Sequence, residues 1–260
     1  MSLILFGGEL RRMMRLARSY WVDYLSDFIL YGLGFLLLIM IFRAASEDYG
    51  PEGMLSTLIG FIAWKIGATA AVDMADIAAE EAKTGTLEQV YLSSRRLWSV
   101  FLGRCLGLYL DYGLRSLFLG GILAALVGVL RPISFTTLVV FILMLASSAG
   151  LGFALTGLVL IYKRVGGILN LIWQVLVFFT GALAPIHDPV LSPISRALPL
   201  TWGIEALRAI MVNGDNLTAL WQNGLIVGLL VNTTTYIVLG IVIFSWGQKQ
   251  ARALGVLAHY

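Results

Sequence analysis

A chain of 260 residues in which 59% are apolar and only 13% are charged is unlike a soluble domain, where about a quarter of residues carry charge. Apolar runs take up nearly the whole length, so no sizeable soluble domain is expected and the reading is an all-α integral membrane protein. The formal charge of +3 is small, so its placement says more than its size, and the single cysteine, Cys105, excludes an intrachain disulfide framework or a multi-cysteine metal site.

Residues 3–19 pattern as an amphipathic helix. Leu3, Phe6, Leu10, Met13, Met14 and Ala17 line one side, with Glu9, Arg11, Arg12, Arg15 and Arg18 on the rest. Such a helix is expected to lie in the membrane surface with its arginines among anionic head groups; a cytosolic helix running straight into the first span is the alternative. No cleaved signal peptide is evident, because the arginines follow the short apolar run and no small-residue cleavage pattern appears. The expected organisation is an interfacial helix over 1–20, a six-span domain over 21–250 and a tail over 251–260.

The spans are expected at about 23–42, 54–78, 100–130, 135–162, 165–183 and 220–246, each supplying the roughly 20 apolar residues that cross about 30 Å of hydrocarbon. Span two is long enough for its end to project beyond the lipid. Between spans two and three lies the longest polar interruption, Ala79–Trp98. It reads as a short helix over about 84–96: Thr84 or Thr86 can cap its start, Gly85 allows the sharp turn into it, Leu87, Val90 and Tyr91 recur at helical spacing, and Arg95 and Arg96 close it. A solvated turn without a partner is the bland alternative.

Between spans five and six, residues 184–213 hold four of the six prolines, Pro185, Pro189, Pro193 and Pro199. That density forbids one continuous helix. Ile194–Leu198 and Trp202–Val212 are nevertheless apolar, and two short helices that enter the outer leaflet and return would fit; an ordinary external loop is the alternative. Lysine and arginine concentrate in the N-terminal segment, the 79–98 loop, the Lys163-Arg164 turn and the tail, whereas Glu47, Asp48 and Glu52 mark the opposite side. The expected orientation has both termini cytoplasmic.

These features together resemble the permease subunit of type-2 ABC exporters. The motifs that carry the resemblance are Gly85–Ser93, GTLEQVYLS, and Pro199–Gly214, PLTWGIEALRAIMVNG. It implies that Thr84, Gly85, Thr86, Leu87, Glu88, Gln89, Val90, Tyr91, Arg95 and Arg96 form a coupling helix that docks on an ATPase. It also implies that Pro185, Pro199, Trp202, Glu205 and Arg208 belong to a re-entrant pair near the outer exit. The assembly implied is two permease halves, an identical pair or a heterodimer, with two ATPase subunits in a plasma (inner) membrane. No phosphate loop of the G-x-x-x-x-G-K-[ST] form is present, so ATP-Mg is expected on the partner subunit and no cofactor in this chain. The dimer seam is expected at spans one and five, with Gly32, Gly34, Phe178 and Phe179 near the pathway. Membrane lipid is an expected partner and nucleic acid is not.

Charges inside the spans need partners. Lys65 and Asp111 fall at matching depth in consecutive antiparallel spans, so the expectation is a Lys65–Asp111 pair with Arg115 sharing the carboxylate from one turn away. The group is either a brace between helices or a stretch of the translocation path facing an anionic or zwitterionic substrate. Asp73, Asp76, Glu80 and Glu81 are expected near Arg104, stiffening the hairpin below the coupling helix, with solvated cytoplasmic charge as the alternative; Glu205 and Arg208 are expected to satisfy each other, with a carboxylate that binds an exiting substrate as the alternative. Small residues, Gly120, Gly121, Ala124, Ala125 and Gly128 in span three and Ser147, Ser148, Gly150 and Gly152 in span four, are expected to let backbones approach closely.

Two rival classes remain. An intramembrane hydrolase would want H-E-x-x-H, G-x-S-x-G or a deep acid pair with its base, yet the two histidines are His187 in the proline-rich stretch and His259 near the end. A channel or secondary transporter would show duplicated halves or an interrupted pair of spans. Apolar pathway candidates and the lack of an aromatic sugar-binding stripe favour a drug-like or lipid-like cargo, with a lipid-linked polysaccharide as the alternative.

Overall fold

The computed structural model describes residues 21–46, 49–84, 86, 97–162, 166–186 and 188–253. The expected interfacial helix of 3–19, Gly85, the body of the expected coupling helix (Leu87, Glu88, Gln89, Val90, Tyr91, Arg95, Arg96), His187 and the Lys163-Arg164 turn lie outside these. The described residues form helices and no strands: α1 (Trp21–Ala45), α2 (Pro51–Thr84), α3 (Leu97–Val127), α4 (Phe135–Val159), α5 (Gly166–Phe179), α6 (Leu191–Ala197), α7 (Thr201–Met211), α8 (Leu217–Gln222) and α9 (Leu225–Ala253).

Five of these, α1, α2, α3, α4 and α9, are long and apolar enough to cross a membrane. The expected fifth span is shorter than the sequence suggested. α5 has 14 residues, or roughly 21 Å at ~1.5 Å per residue, against about 30 Å of hydrocarbon. The chain leaves the helix after Phe179 and turns at Gly181, whose φ is +70°. The expected last span also starts late: Gly224, at φ +73°, separates α8 from α9, because only glycine takes that conformation without a steric cost.

α2 is the central pillar. Its apolar stretch is 89% buried within the chain, against 17% for α1, so α1 lies on the outside of the bundle. α2 carries 34 residues, about 51 Å of helix, and so outruns the hydrocarbon as expected. Around the Pro51 half of α2, Phe35, Phe61, Trp64, Ile66, Leu119, Met144, Leu176 and Ile204 form one core. Around its Thr84 half a second core gathers Met74, Phe101, Phe153, Leu169 and Phe244.

α4 and α9 make the most extensive helix pair, and glycines set their separation. A Cβ on Gly150 would stand 2.3 Å from the Tyr236 carbonyl oxygen, and one on Gly157 2.6 Å from that of Ile243. Gly240 and Gly247 face them, each within 2.4 Å of a glycine oxygen on α4 by the same construction. Buried polar groups bridge the same helices: Ser147 Oγ donates to Asn232 Oδ1 at 2.7 Å and Thr233 Oγ1 to the Leu143 carbonyl at 3.1 Å. Ser148 Oγ donates to the Gly67 carbonyl of α2 at 2.6 Å. The expected small-residue packing thus holds in span four. In span three Gly120 abuts Ile62, whereas Gly121 and Gly128 face open space.

α4 starts at Ser134, which is extended (φ −83°, ψ 162°) and accepts from the Thr137 backbone N–H at 3.1 Å. Ser134→Ala is expected to cost about 1 kcal/mol, read as a lowering of Tm by roughly 2–4 °C in detergent. An unchanged Tm would show that the cap contributes nothing.

Candidate functional site

The polar chemistry of the chain sits on the α2–α3 hairpin and on the cap made by α6 and α7. Midway along the hairpin a cleft of about 270 Å³ opens between α1, α2 and α3, lined by Tyr24, Asp27, Phe28, Lys65, Asp111, Tyr112, Arg115, Phe118 and Leu119. Arg115 and Asp111 pair one turn apart: Nε donates to Oδ1 at 2.9 Å and Nη2 meets Oδ2, a bidentate geometry. The guanidinium also lies 3.5 Å from the Tyr24 ring centroid.

The expected Lys65–Asp111 pair is not made. Lys65 is 5% exposed, its Nζ sits 3.2 Å from the Tyr31 ring centroid, and no carboxylate of the described residues lies within ion-pair distance. Equal depth on antiparallel helices fixes height, not the direction in which each side chain leaves its helix, and Arg115 already occupies both oxygens of Asp111. Asp73 is not with Arg104 either; it accepts from the Tyr112 hydroxyl.

Asp27 is the residue that sequence reasoning missed. It makes no hydrogen bond or ion pair among the described residues, yet it lines the same cleft. The available signal was a carboxylate inside the apolar run of α1, which needs a reason to be there. The cleft therefore gathers carboxylates, cations and aromatic rings without full internal pairing of Lys65 or Asp27.

At the Thr84 end, Arg104 Nη1 and Glu81 Oε2 pair at 2.6 Å with side chains only 10% and 19% exposed. This part of the expected acidic cluster does stiffen the hairpin. Glu80 instead pairs with Lys83 at 3.2 Å, and Asp76 is exposed. The Thr84 hydroxyl, at the last residue of α2, donates back to the Glu80 carbonyl at 2.9 Å, the bond a threonine makes to the preceding turn. Thr86 contacts Thr84 at 2.9 Å and the Glu81 carbonyl at 3.5 Å.

At the opposite end, α6 and α7 fall where the two expected short helices were drawn. Leu200 joins them with φ 79°, a conformation that costs a side chain about 1–2 kcal/mol. It is held by burial: Leu200 is 1% exposed and fills the notch left by Gly67, where a Cβ would meet Leu200 Cδ2 at 2.4 Å. Trp202 Nε1 donates to the Arg196 carbonyl at 2.9 Å.

Glu205 and Arg208 do not pair as expected. Glu205 lies 3.6 Å from Arg196. Arg208 points the other way, with Nε donating to the Ser56 carbonyl at 3.0 Å and Nη2 to the Ala182 carbonyl at 3.2 Å. Burial pushes its guanidinium down to about 10, with Glu205 opposing, so it stays cationic at neutral pH. Pro199 precedes the Leu200 turn and Pro185 lines the cleft beneath Arg208.

No curated protein matches the chain significantly. The family described as ABC-2 family transporter protein matches residues 46–246, which takes in α2 to most of α9 and so both motifs on which the resemblance rested. The chain therefore belongs to the ABC-2 family as the permease subunit of a type-2 ABC transporter, a multi-pass membrane protein that works with an ABC ATPase subunit.

Proposed function

We propose that this chain is one half of an ATP-driven exporter that moves an amphipathic, drug-like or lipid-like molecule, polar head in the α1–α2–α3 cleft and tail in the lipid beside it. The unpaired Asp27 and Lys65, with Arg115 and the rings of Tyr24 and Tyr112, suit a zwitterionic or anionic head. Six crossings, with α5 as the short one, both termini on the cytoplasmic side, re-entrant α6 and α7, and a homodimer with two ATPases in the inner membrane complete the reading. Residues 84–96 are its motor contact and ATP-Mg belongs to the partner.

The observation that carries this reading is that one hairpin bears both ends of the device. Lys65, Asp73, Asp111 and Arg115 stand midway along α2 and α3, and the Glu81–Arg104 pair ties the same two helices together at 2.6 Å just before the polar stretch. A push delivered there tilts both walls of the cleft. The lipid-linked polysaccharide alternative keeps the same lever with a larger cargo.

Lys65→Met separates path from brace. A brace would need a partner carboxylate, and Lys65 has none, so replacing a buried unpaired charge by an apolar chain of similar length should leave folding intact. With the ATPase partner in proteoliposomes, ATP-driven movement of a fluorescent zwitterionic phospholipid analogue is expected to fall at least about tenfold, ~1.4 kcal/mol, while Tm holds or rises. Full transport at wild-type Tm, or loss of folded protein, removes the cleft from the path.

A further inference from the structure

A second polar cavity, of about 470 Å³, lies at the Pro51 end between the α5–α6 connection, α7 and the start of α9, and Arg208 stands at its base. Arg208 is 8% exposed. Two of its donors are spent on backbone carbonyls, those of Ser56 and Ala182, which lock the guanidinium plane. Nη1 has no hydrogen-bond partner among the described residues, and no carboxylate lies within ion-pair range, since Glu205 is turned to Arg196. A guanidinium held this deep with no carboxylate of the described residues in ion-pair contact is costly. A packing role alone would be met by an apolar side chain. What the geometry offers is a fixed fork with free N–H groups facing an open polar cavity, the form that takes two oxygens of one anion.

The rim is mixed in charge: Glu205, paired with Arg196, and Asp215 line the same cavity. Arg196 carries the second cation, half-exposed and stacked 5.0 Å from the Trp202 ring centroid. Asn213 and Asn223 line the mouth with neutral amide donors. On the helix that carries the cavity-lining Ser195 and Arg196, Ile194 is exposed at 52%, with Val190 just before the helix at 72%.

We propose that this cavity binds the anionic head, a phosphate monoester or carboxylate, of an amphipathic molecule whose alkyl tail lies along Val190 and Ile194. Identifying that molecule with the cargo rests on the export reading; the binding itself does not.

The test uses the full chain purified in a neutral maltoside detergent, with dodecyl phosphate, inorganic phosphate and dodecyltrimethylammonium as probes, binding read by titration calorimetry. Dodecyl phosphate is expected to bind saturably, roughly tenfold or more tighter than inorganic phosphate, with no binding of the cation. Arg208→Lys keeps the charge but loses the fork and is expected to weaken dodecyl phosphate about tenfold or more. Should that variant fail to fold, Asn223→Asp sets a negative charge at the exposed mouth, away from the packing, and is expected to weaken it by a similar factor. Equal affinity for inorganic and dodecyl phosphate, binding of the cation, or affinity unchanged in Asn223→Asp overturns the proposal. ATP-driven export by the wild-type assembly is scored separately, so a site that binds in a chain that does not export leaves the cavity standing and removes only its link to cargo.

Discussion

Gly150→Leu is expected to abolish recovery of folded protein. The atoms that a side chain at Gly150 would meet are the carbonyl carbon and oxygen of Tyr236 and the amide nitrogen of Ile237, all within 2.7 Å of the Cβ alone. These are backbone atoms of a helix and have no alternative rotamer. α4 and α9 would have to separate, and the Ser147–Asn232 and Thr233–Leu143 hydrogen bonds between them would break. Overpacking costs about 1–3 kcal/mol where side chains can shift, and more where they cannot; stranded buried polar groups add ~1–3 kcal/mol each. Against a stability of about 5–15 kcal/mol, the sum removes most of the folded population. Gly121→Leu is the control, because nothing lies within 4 Å of a Cβ there, and it should behave as wild type. Monodisperse yield on size exclusion and Tm are the readouts. A Gly150→Leu protein that is monodisperse with wild-type Tm would show that the two helices do not pack as described.

Scrambling Leu87, Glu88 and Tyr91 is expected to stop ATP-driven transport while the bundle stays folded. These residues lie outside the described ones, so folding is scored independently by Tm and monodisperse yield. In the proposed mechanism the lost element is the contact that seats in the ATPase groove. Transport should fall by at least about tenfold, ~1.4 kcal/mol of coupling, with the same Tm. Charge reversal of the clamp behind the stretch makes a companion test. Arg104→Glu leaves Glu81 facing a like charge in a half-dry site, and Glu81→Lys with Arg104→Glu restores the pair. Recovery of transport in the double variant places the clamp in the path of force; no recovery limits it to packing. Sidedness is read on Thr86→Cys, which is exposed, with an impermeant maleimide; Cys105 is buried and gives little background. Labelling from the outside alone would end the motor-contact reading.

How far the sequence reached can be followed residue by residue. Hydropathy and span length located five crossings and the extra length of α2, because burial of about 20 apolar residues is a local property of the chain. Proline density and apolar spacing located α6 and α7. Length arithmetic failed at α5, where the apolar run to Leu183 hides the turn after Phe179, and at Gly224, where a positive φ interrupts a run that hydropathy reads as continuous.

The charges were harder. The depth argument did bring Lys65, Asp111 and Arg115 to one cleft, together with the unremarked Asp27. Which partner each took was not legible. Asp111 closed on Arg115 within its own helix, Lys65 turned to the Tyr31 ring, Asp73 to Tyr112, Glu205 to Arg196, and Arg208 to two carbonyls on other elements.

What the sequence determined by itself is an all-helical membrane permease with a polar stretch after α2 and a proline-broken cap, since period, length and punctuation are encoded within a few neighbouring residues. Tertiary structure alone decided which helix became the central pillar, how closely α4 and α9 approach, and how each buried charge is satisfied. Those depend on the azimuth at which helices meet, which contacts distant in sequence set and no local pattern carries.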